Sequence, residues 1–205
     1  LDLKQSEARD IFKQAIDSHG VVEAAQLYIT DTLSEFGQEW ENGDLALSQL
    51  YMSARLVEDI CLTLFDQKHE NTELSPVGMT TLGDFHLLGK RIVLSVLRSS
   101  GWVIQDLGQT GSVPELLQKI EKTKIKYLLV STLMLPSALL VGQLTTAIQE
   151  RGLDVKVMVG GAPFNFDENL FIRVGADKMG KSPKDVISQL EKWCPEVYKP
   201  QISSH

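Results

Sequence analysis

From residue 77 to residue 194, short apolar runs alternate with stretches of helical period, and this alternation constrains the fold more than any other feature. Runs at 77–82, 102–106, 126–131, 155–159 and 176–179 read as strands, and 87–99, 114–122, 137–151, 167–173 and 183–193 read as helices. Gly101, Gly108, Gly152 and Gly175 mark turns, while Pro114 and Pro183 suit first helical turns. Alternation of this kind argues for a parallel sheet with helices on both faces. The carboxyl ends of its strands converge on one edge, where open α/β sheets hold ligands.

Three of those strand ends carry distinctive residues. The first is Asp84-Phe85-His86-Leu87-Leu88-Gly89, on the loop between the 77–82 run and the next helix. An aspartate two residues from a histidine can fix the imidazole tautomer and raise its basicity, as it does beside metal-ligating histidines. Alone, the pattern also suits a loop histidine held by a local hydrogen bond. The second end is Ser131-Thr132-Leu133-Met134-Leu135-Pro136-Ser137, and the third is Gly160-Gly161-Ala162-Pro163. A large planar ligand with a metal centre and a long tail would contact all three.

Residues 5–70 carry apolar side chains at helical period. Ile11, Ala15, Val22, Leu27 and Ile29 fall on apolar faces, as do Leu45, Leu47, Leu50, Leu56, Val57, Ile60 and Leu64. Gly20 and Asn42-Gly43 are the expected breaks, with Asp44 as the cap of the helix that follows. Three or four such helices form a small bundle. The polar stretch 71–76 is the expected linker, dividing the chain into 1–74 and 75–205. The fold class is therefore α+(α/β), a helical bundle followed by a doubly wound, five-stranded, parallel sheet of flavodoxin or Rossmann type.

Charge narrows the functions. Residues 1–74 hold 15 acidic and 5 basic side chains, net −10, and the remainder is net +3. An acidic helical half argues against nucleic-acid binding. No apolar run approaches the roughly 20 residues that span a membrane, and no basic-then-apolar leader opens the sequence. Two cysteines, Cys61 and Cys194, make no disulfide framework and suit a reducing cytoplasm.

Asp84-x-His86-x-x-Gly89, then Ser131-x-Leu133 with Ser137 beyond it, then Gly160-Gly161, together resemble the cobalamin-binding domain of methionine synthase and of small corrinoid proteins. The resemblance covers about residues 76 to 194. Residues 35–44 and 49–55 are similar to the helical cap beside that domain in the same proteins. Cap plus cobalamin domain is the layout of a corrinoid methyl carrier, as in methanol, methylamine and methyl-ether (O-demethylase) methyltransferase systems of one-carbon metabolism.

The resemblance implies cobalamin, as methylcobalamin or another corrinoid, bound base-off with His86 on the cobalt. It implies a relay in which His86 donates to Asp84 and Asp84 accepts from Ser137; a helix N-cap is the other reading of Ser137. Further cofactor contacts are implied at Phe85, Leu87, Leu88, Gly89, Ser131, Leu133 and Met134. Gly160 and Gly161 would leave room for the displaced nucleotide tail, and Ala176, Asp177 and Met179 would lie near its base. Leu47, Leu50, Tyr51 and Ala54 would cover the upper face. Implied partners are a substrate:corrinoid methyltransferase, a methylcorrinoid:acceptor methyltransferase (with tetrahydrofolate or a thiol coenzyme as acceptor) and a reductive activator. Such a carrier completes no reaction alone. The alternatives are a cobalamin-dependent sensor and an adenosylcobalamin mutase subunit, the second disfavoured by the cap. The chain departs from the family at Leu87, where aspartate is common, and at Ala46 and Ser48 in the cap.

Overall fold

A computed structural model describes residues 2–46, 48–49, 52–53, 55–57, 59–60 and 75–197. The chain divides into two compact units, Leu1–Lys68 and His69–His205. The boundary expected after residue 74 falls within 61–74, outside the described residues, as does Cys61.

In the first unit, α1 (Asp2–His19) ends at Gly20, whose φ of +80° breaks the helix. Helix α2 (Val21–Ala25), a π-helical turn (Gln26–Thr30) and α3 (Asp31–Asn42) follow. Phe12, Ala15, Ala24, Ala25 and Ile29 are buried, whereas Ile11 and Leu27 are exposed, so the buried stripe of α1 lies one residue later than expected at that position. Asp44 is not the next N-cap. Gln49 Oε1 instead accepts from Ala46 N at 2.9 Å, the reciprocal half of a capping box, so the helix begins after Ala46.

The second unit is a five-stranded, all-parallel sheet in the order β2-β1-β3-β4-β5. Its strands are β1 (Val77–Leu82), β2 (Gln105–Thr110), β3 (Tyr127–Ser131), β4 (Lys156–Gly160) and β5 (Lys178–Gly180). Among the described residues six helices accompany them: α4 (Leu88–Ser99), α5 (Val113–Thr123), α6 (Leu135–Glu150), α7 (Ala162–Phe166), α8 (Leu170–Arg173) and α9 (Pro183–Trp193). One face of the sheet, through Leu128, Val130, Val157 and Val159, packs against Leu116, Ile120, Val141, Leu144 and Phe164. The other, through Val77, Met79, Leu129 and Met158, packs against Leu94, Leu97, Val186 and Leu190. Burial on both faces explains why β3 and β4 read as continuous apolar runs.

Local chemistry sets the helix starts. Ser112 Oγ accepts from Glu115 N at 3.4 Å and Ser182 Oγ from Asp185 N at 3.3 Å. Glu115 and Asp185 reach back to Gly111 N and Lys181 N.

The apolar run at 102–106 misplaces its strand. Trp102 and Ile104 are core residues of the approach, and the ladder with β1 begins at Gln105. As the sheet edge, β2 is polar (QDLGQT), so hydrophobicity gave it no signal. The helix expected at 167–173 is interrupted: α7 ends at Asp167, which is extended at φ −129° and accepts from Asn169 N before α8 begins.

Candidate functional site

Strand order reverses between β1, which turns out to β2, and β3, which leads on to β4 and β5. Ligands of doubly wound sheets gather beyond the carboxyl ends of the strands at such a switch point. The loop after β1 carries Asp84 and His86, and the turn after β3 carries Thr132 to Met134.

Asp84 is the centre of the site. Its Oδ1 accepts from His86 Nδ1 at 2.7 Å and from His86 N at 2.9 Å. Its Oδ2 accepts from Leu133 N at 2.7 Å and Met134 N at 3.1 Å. The side chain is fully buried, and burial pushes its pKa up. The hydrogen bonds from His86, Leu133 and Met134 outweigh that and hold it below the ordinary 3.8. An ionised Asp84 accepts at Nδ1, which places the imidazole proton there and leaves the Nε2 lone pair uncommitted. His86 is 55% exposed at its side chain, so that lone pair is presented outward.

The expected third relay member is elsewhere. Ser137 Oγ donates to Gly83 O at 2.8 Å, not to Asp84. The second carboxylate oxygen already holds two backbone N–H groups, so the start of α6 takes the place expected of the serine. Nor is Ser137 an N-cap. The cap position is Met134, without a side-chain bond, and Ser137 lies inside the first turn.

Main-chain groups of the loop are equally committed. Gly83 N donates to Thr110 O at 2.8 Å. The Asp84 carbonyl accepts from Thr81 Oγ1 and from Gln109 Nε2, each at 3.1 Å. Thr81, Gly83 and Gln109 escaped the sequence reading. Gly83 carried a visible signal, a glycine between strand and loop, whereas Gln109 carried none.

Around this loop the described residues form an apolar rim. Phe85 is 86% exposed, and Leu133, Met134 and Leu135 are also exposed; Leu87 and Leu88 are half-buried, and Phe166, at the end of α7 after β4, is exposed as well. A Cβ on Gly89 would stand 3.3 Å from Ser131 Oγ, so Gly89 lets α4 start close to the end of β3. Thr132 is buried, and its Oγ1 has no hydrogen-bond partner.

The double glycine behaves differently from the tail-slot expectation. A Cβ on Gly161, at φ +116°, would sit 1.8 Å from Thr132 O. On Gly160 it would be 2.9 Å from Gly180 O. The space that a side chain would need at both is taken by this chain's own backbone.

Ala176 and Asp177 are not at this edge. Asp177 Oδ2 accepts from Val157 N, and Asp177 N donates to Val157 O, which fixes both residues where β4 and β5 begin. Ala176 is core. The resemblance implies a place near the nucleotide base for Ala176 and Asp177, but both stand where β5 begins; Gly180, paired with Gly160, marks the end of the strand. Met179 lies one step before it and packs against the core. Leu47, Leu50, Tyr51 and Ala54 lie outside the described residues.

Among the described residues no three of His, Cys, Asp and Glu cluster as a metal site would need. One outward imidazole lone pair in an apolar rim suits a metal that brings its other ligands in a macrocycle.

Residues 74–187 match a B12 binding domain model, and residues 1–63 match a second model also described as a B12 binding domain. Trimethylamine corrinoid protein 1 of Methanosarcina acetivorans is 30% identical over 198 residues, 92% of this chain and 90% of the relative. The dimethylamine corrinoid protein of Methanosarcina barkeri is 29% identical over 168 residues, 78% of this chain and 77% of that one. The monomethylamine corrinoid protein structure from Methanosarcina barkeri superposes with a TM-score of 0.66 at 22% identity, covering 91% of this chain and 96% of that one. The chain belongs to the B12-binding family of corrinoid proteins.

Proposed function

We propose that this chain is a corrinoid methyl carrier. Cobalamin or a related corrinoid would be held through His86, and the carrier would serve to pass a methyl group from a substrate:corrinoid methyltransferase to a second methyltransferase. The observation that carries the reading is the Asp84–His86 pair, which leaves Nε2 outward and unbonded at the switch point.

When bound, the corrinoid supplies a cobalt centre that takes up and releases a methyl group. Asp84 holds the proton on His86 Nδ1 and keeps Nε2 available as the donor. The backbone of Leu133 and Met134 keeps Asp84 ionised. Phe85, Leu133, Met134 and Phe166 offer apolar surface for the ring and tail and exclude water there. Thr132 Oγ1 is a buried hydroxyl for a polar group of the ligand.

In this reading residues 1–74 are the helical cap and 75–205 the cobalamin-binding domain. Relatives named for trimethylamine and dimethylamine favour a methylamine as donor over methanol or a methyl ether. The acceptor enzyme and its tetrahydrofolate or thiol acceptor, a reductive activator and a cytoplasmic location complete the proposal; no helix among the described residues is long and apolar enough to cross a membrane.

The test is an electron paramagnetic resonance spectrum of the Co(II) form, with nitrogen-15 only in histidine. A doublet splitting on the cobalt lines, lost in His86→Ala, is expected. A triplet would show the cofactor's own base on the metal and would sink the role of His86. Failure to retain any corrinoid would remove the carrier reading.

A further inference from the structure

The edge strand β2 is irregular where it passes the His86 loop. Met79 pairs with Asp106, but Thr81 pairs with Gln109, so one extra residue of β2 is accommodated between them. This is a β-bulge centred on Leu107 and Gly108. Gly108 adopts φ +75°, while a Cβ there would meet nothing within 4 Å, so the glycine serves backbone conformation alone.

The bulge is held by side chains. Lys119 Nζ donates to Leu107 O at 3.1 Å and Gln109 O at 3.2 Å. Thr80 Oγ1 donates to Gly108 O at 3.0 Å. Three successive carbonyls at the irregularity are thereby satisfied without relying on the strand ladder.

Its consequence is one of parity. Side chains along a strand alternate faces, so Asp106 and Gln109, three apart, would point to opposite faces of a regular strand. Here the extra residue brings both to the face covered by α4. Asp106 Oδ1 accepts from Gly108 N at 2.7 Å and pairs with the ammonium of Lys90, buried in the first turn of α4. Gln109 Nε2 donates to the Asp84 carbonyl. The two side chains grip the His86 loop at both ends.

We infer that the β2 bulge is a positioning device for the metal-ligating loop, with Gln109 as its contact to Asp84 and the Asp106–Lys90 pair fixing the start of α4. Gln109 acts through Asp84 and touches no ligand in this role. The inference rests on the corrinoid reading for its consequence in the loaded protein, but its effect on the free protein is measured separately.

The experiment uses the full chain with Gln109→Glu, which keeps the shape and removes the donor, and Gly108→Ala, which strains the bulge. Gln109 is exposed, so its substitution leaves no cavity. In the cofactor-free protein, two-bond proton–nitrogen-15 correlation reads the His86 tautomer. Wild type is expected to hold Nδ1–H, and both variants to show a mixture of tautomers. In protein loaded with cob(II)alamin, the histidine doublet fraction should fall and binding should weaken about tenfold, within the range for losing support behind a metal ligand. Wild-type tautomer and wild-type doublet fraction in Gln109→Glu would overturn the inference. A wild-type protein that retains corrinoid without a doublet would defeat the role of His86 on the metal instead, while the tautomer comparison would still decide this one. Should Gly108→Ala fail to fold, Gln109→Glu alone carries the test.

Discussion

At the scale of single residues, the site is a carboxylate with four N–H donors. Asp84→Asn leaves one acceptor oxygen for donors on both sides and turns an amide N–H toward one of them. Corrinoid binding should weaken about 10- to 100-fold, measured by absorbance titration. Ser137→Ala is expected to behave differently, because its hydroxyl holds Gly83 O and not the carboxylate. It should cost about 1 kcal/mol in urea unfolding, with a smaller loss of corrinoid affinity than Asp84→Asn. Equal binding losses would instead place the serine in a relay. The depressed pKa of Asp84 fixes the sign of a pH effect. A carboxylate held below its unfolded value stabilises the fold above that value and loses its contribution as pH falls through the folded one. The stability gap between wild type and Asp84→Asn should therefore be flat from about pH 5 to 8 and close only below the ordinary 3.8. A gap that closes near neutrality would show that the hydrogen bonds do not control this carboxyl.

At the scale of elements, the ends of β3, β4 and β5 are joined by close backbone contact. Thr132 N donates to Gly160 O at 3.0 Å, and Gly161 leaves no room for a Cβ beside Thr132 O. Gly161→Ala must move that strand end, which carries the backbone donors to Asp84. It should lower thermal stability and corrinoid affinity together, read by calorimetry and titration; stability loss with unchanged affinity would separate the glycine from the site. The elements were unevenly legible. Helices α4, α5 and α9 follow from apolar period, and α5 and α9 also from Ser and Pro at their starts, all local properties. Strand β2 did not follow, because an edge strand has little apolar signal and its bulge depends on φ at one glycine. Ala176 and Asp177, expected near the ligand, stand instead at the start of β5 for a related reason: a small-residue turn has the same composition on entering a strand as on leaving it.

At the scale of the whole molecule, ligand and fold are linked. A corrinoid that binds only the folded second unit should raise its unfolding free energy by about 2.7 kcal/mol at a free concentration of 100 Kd. Thermal unfolding with and without cobalamin should show this shift, smaller in His86→Ala at the same concentration. An equal shift in both proteins would mean that the histidine adds nothing to binding. By itself, the sequence determined the class of the fold, the parallel sense of the sheet and the strand end on which His86 stands, because these follow from periodicity and from residues adjacent along the chain. It also brought Asp84 to His86, two residues apart, since a side chain so near can close its own hydrogen bond. Only the tertiary structure decided what stands behind that pair. The backbone of the turn between β3 and α6 fills the carboxylate oxygen expected for Ser137, and Gln109 reaches Asp84 across a bulge. Those partners are 25 to 50 residues away. Their aim is set by strand register and by backbone groups, which every residue type carries and no composition reveals.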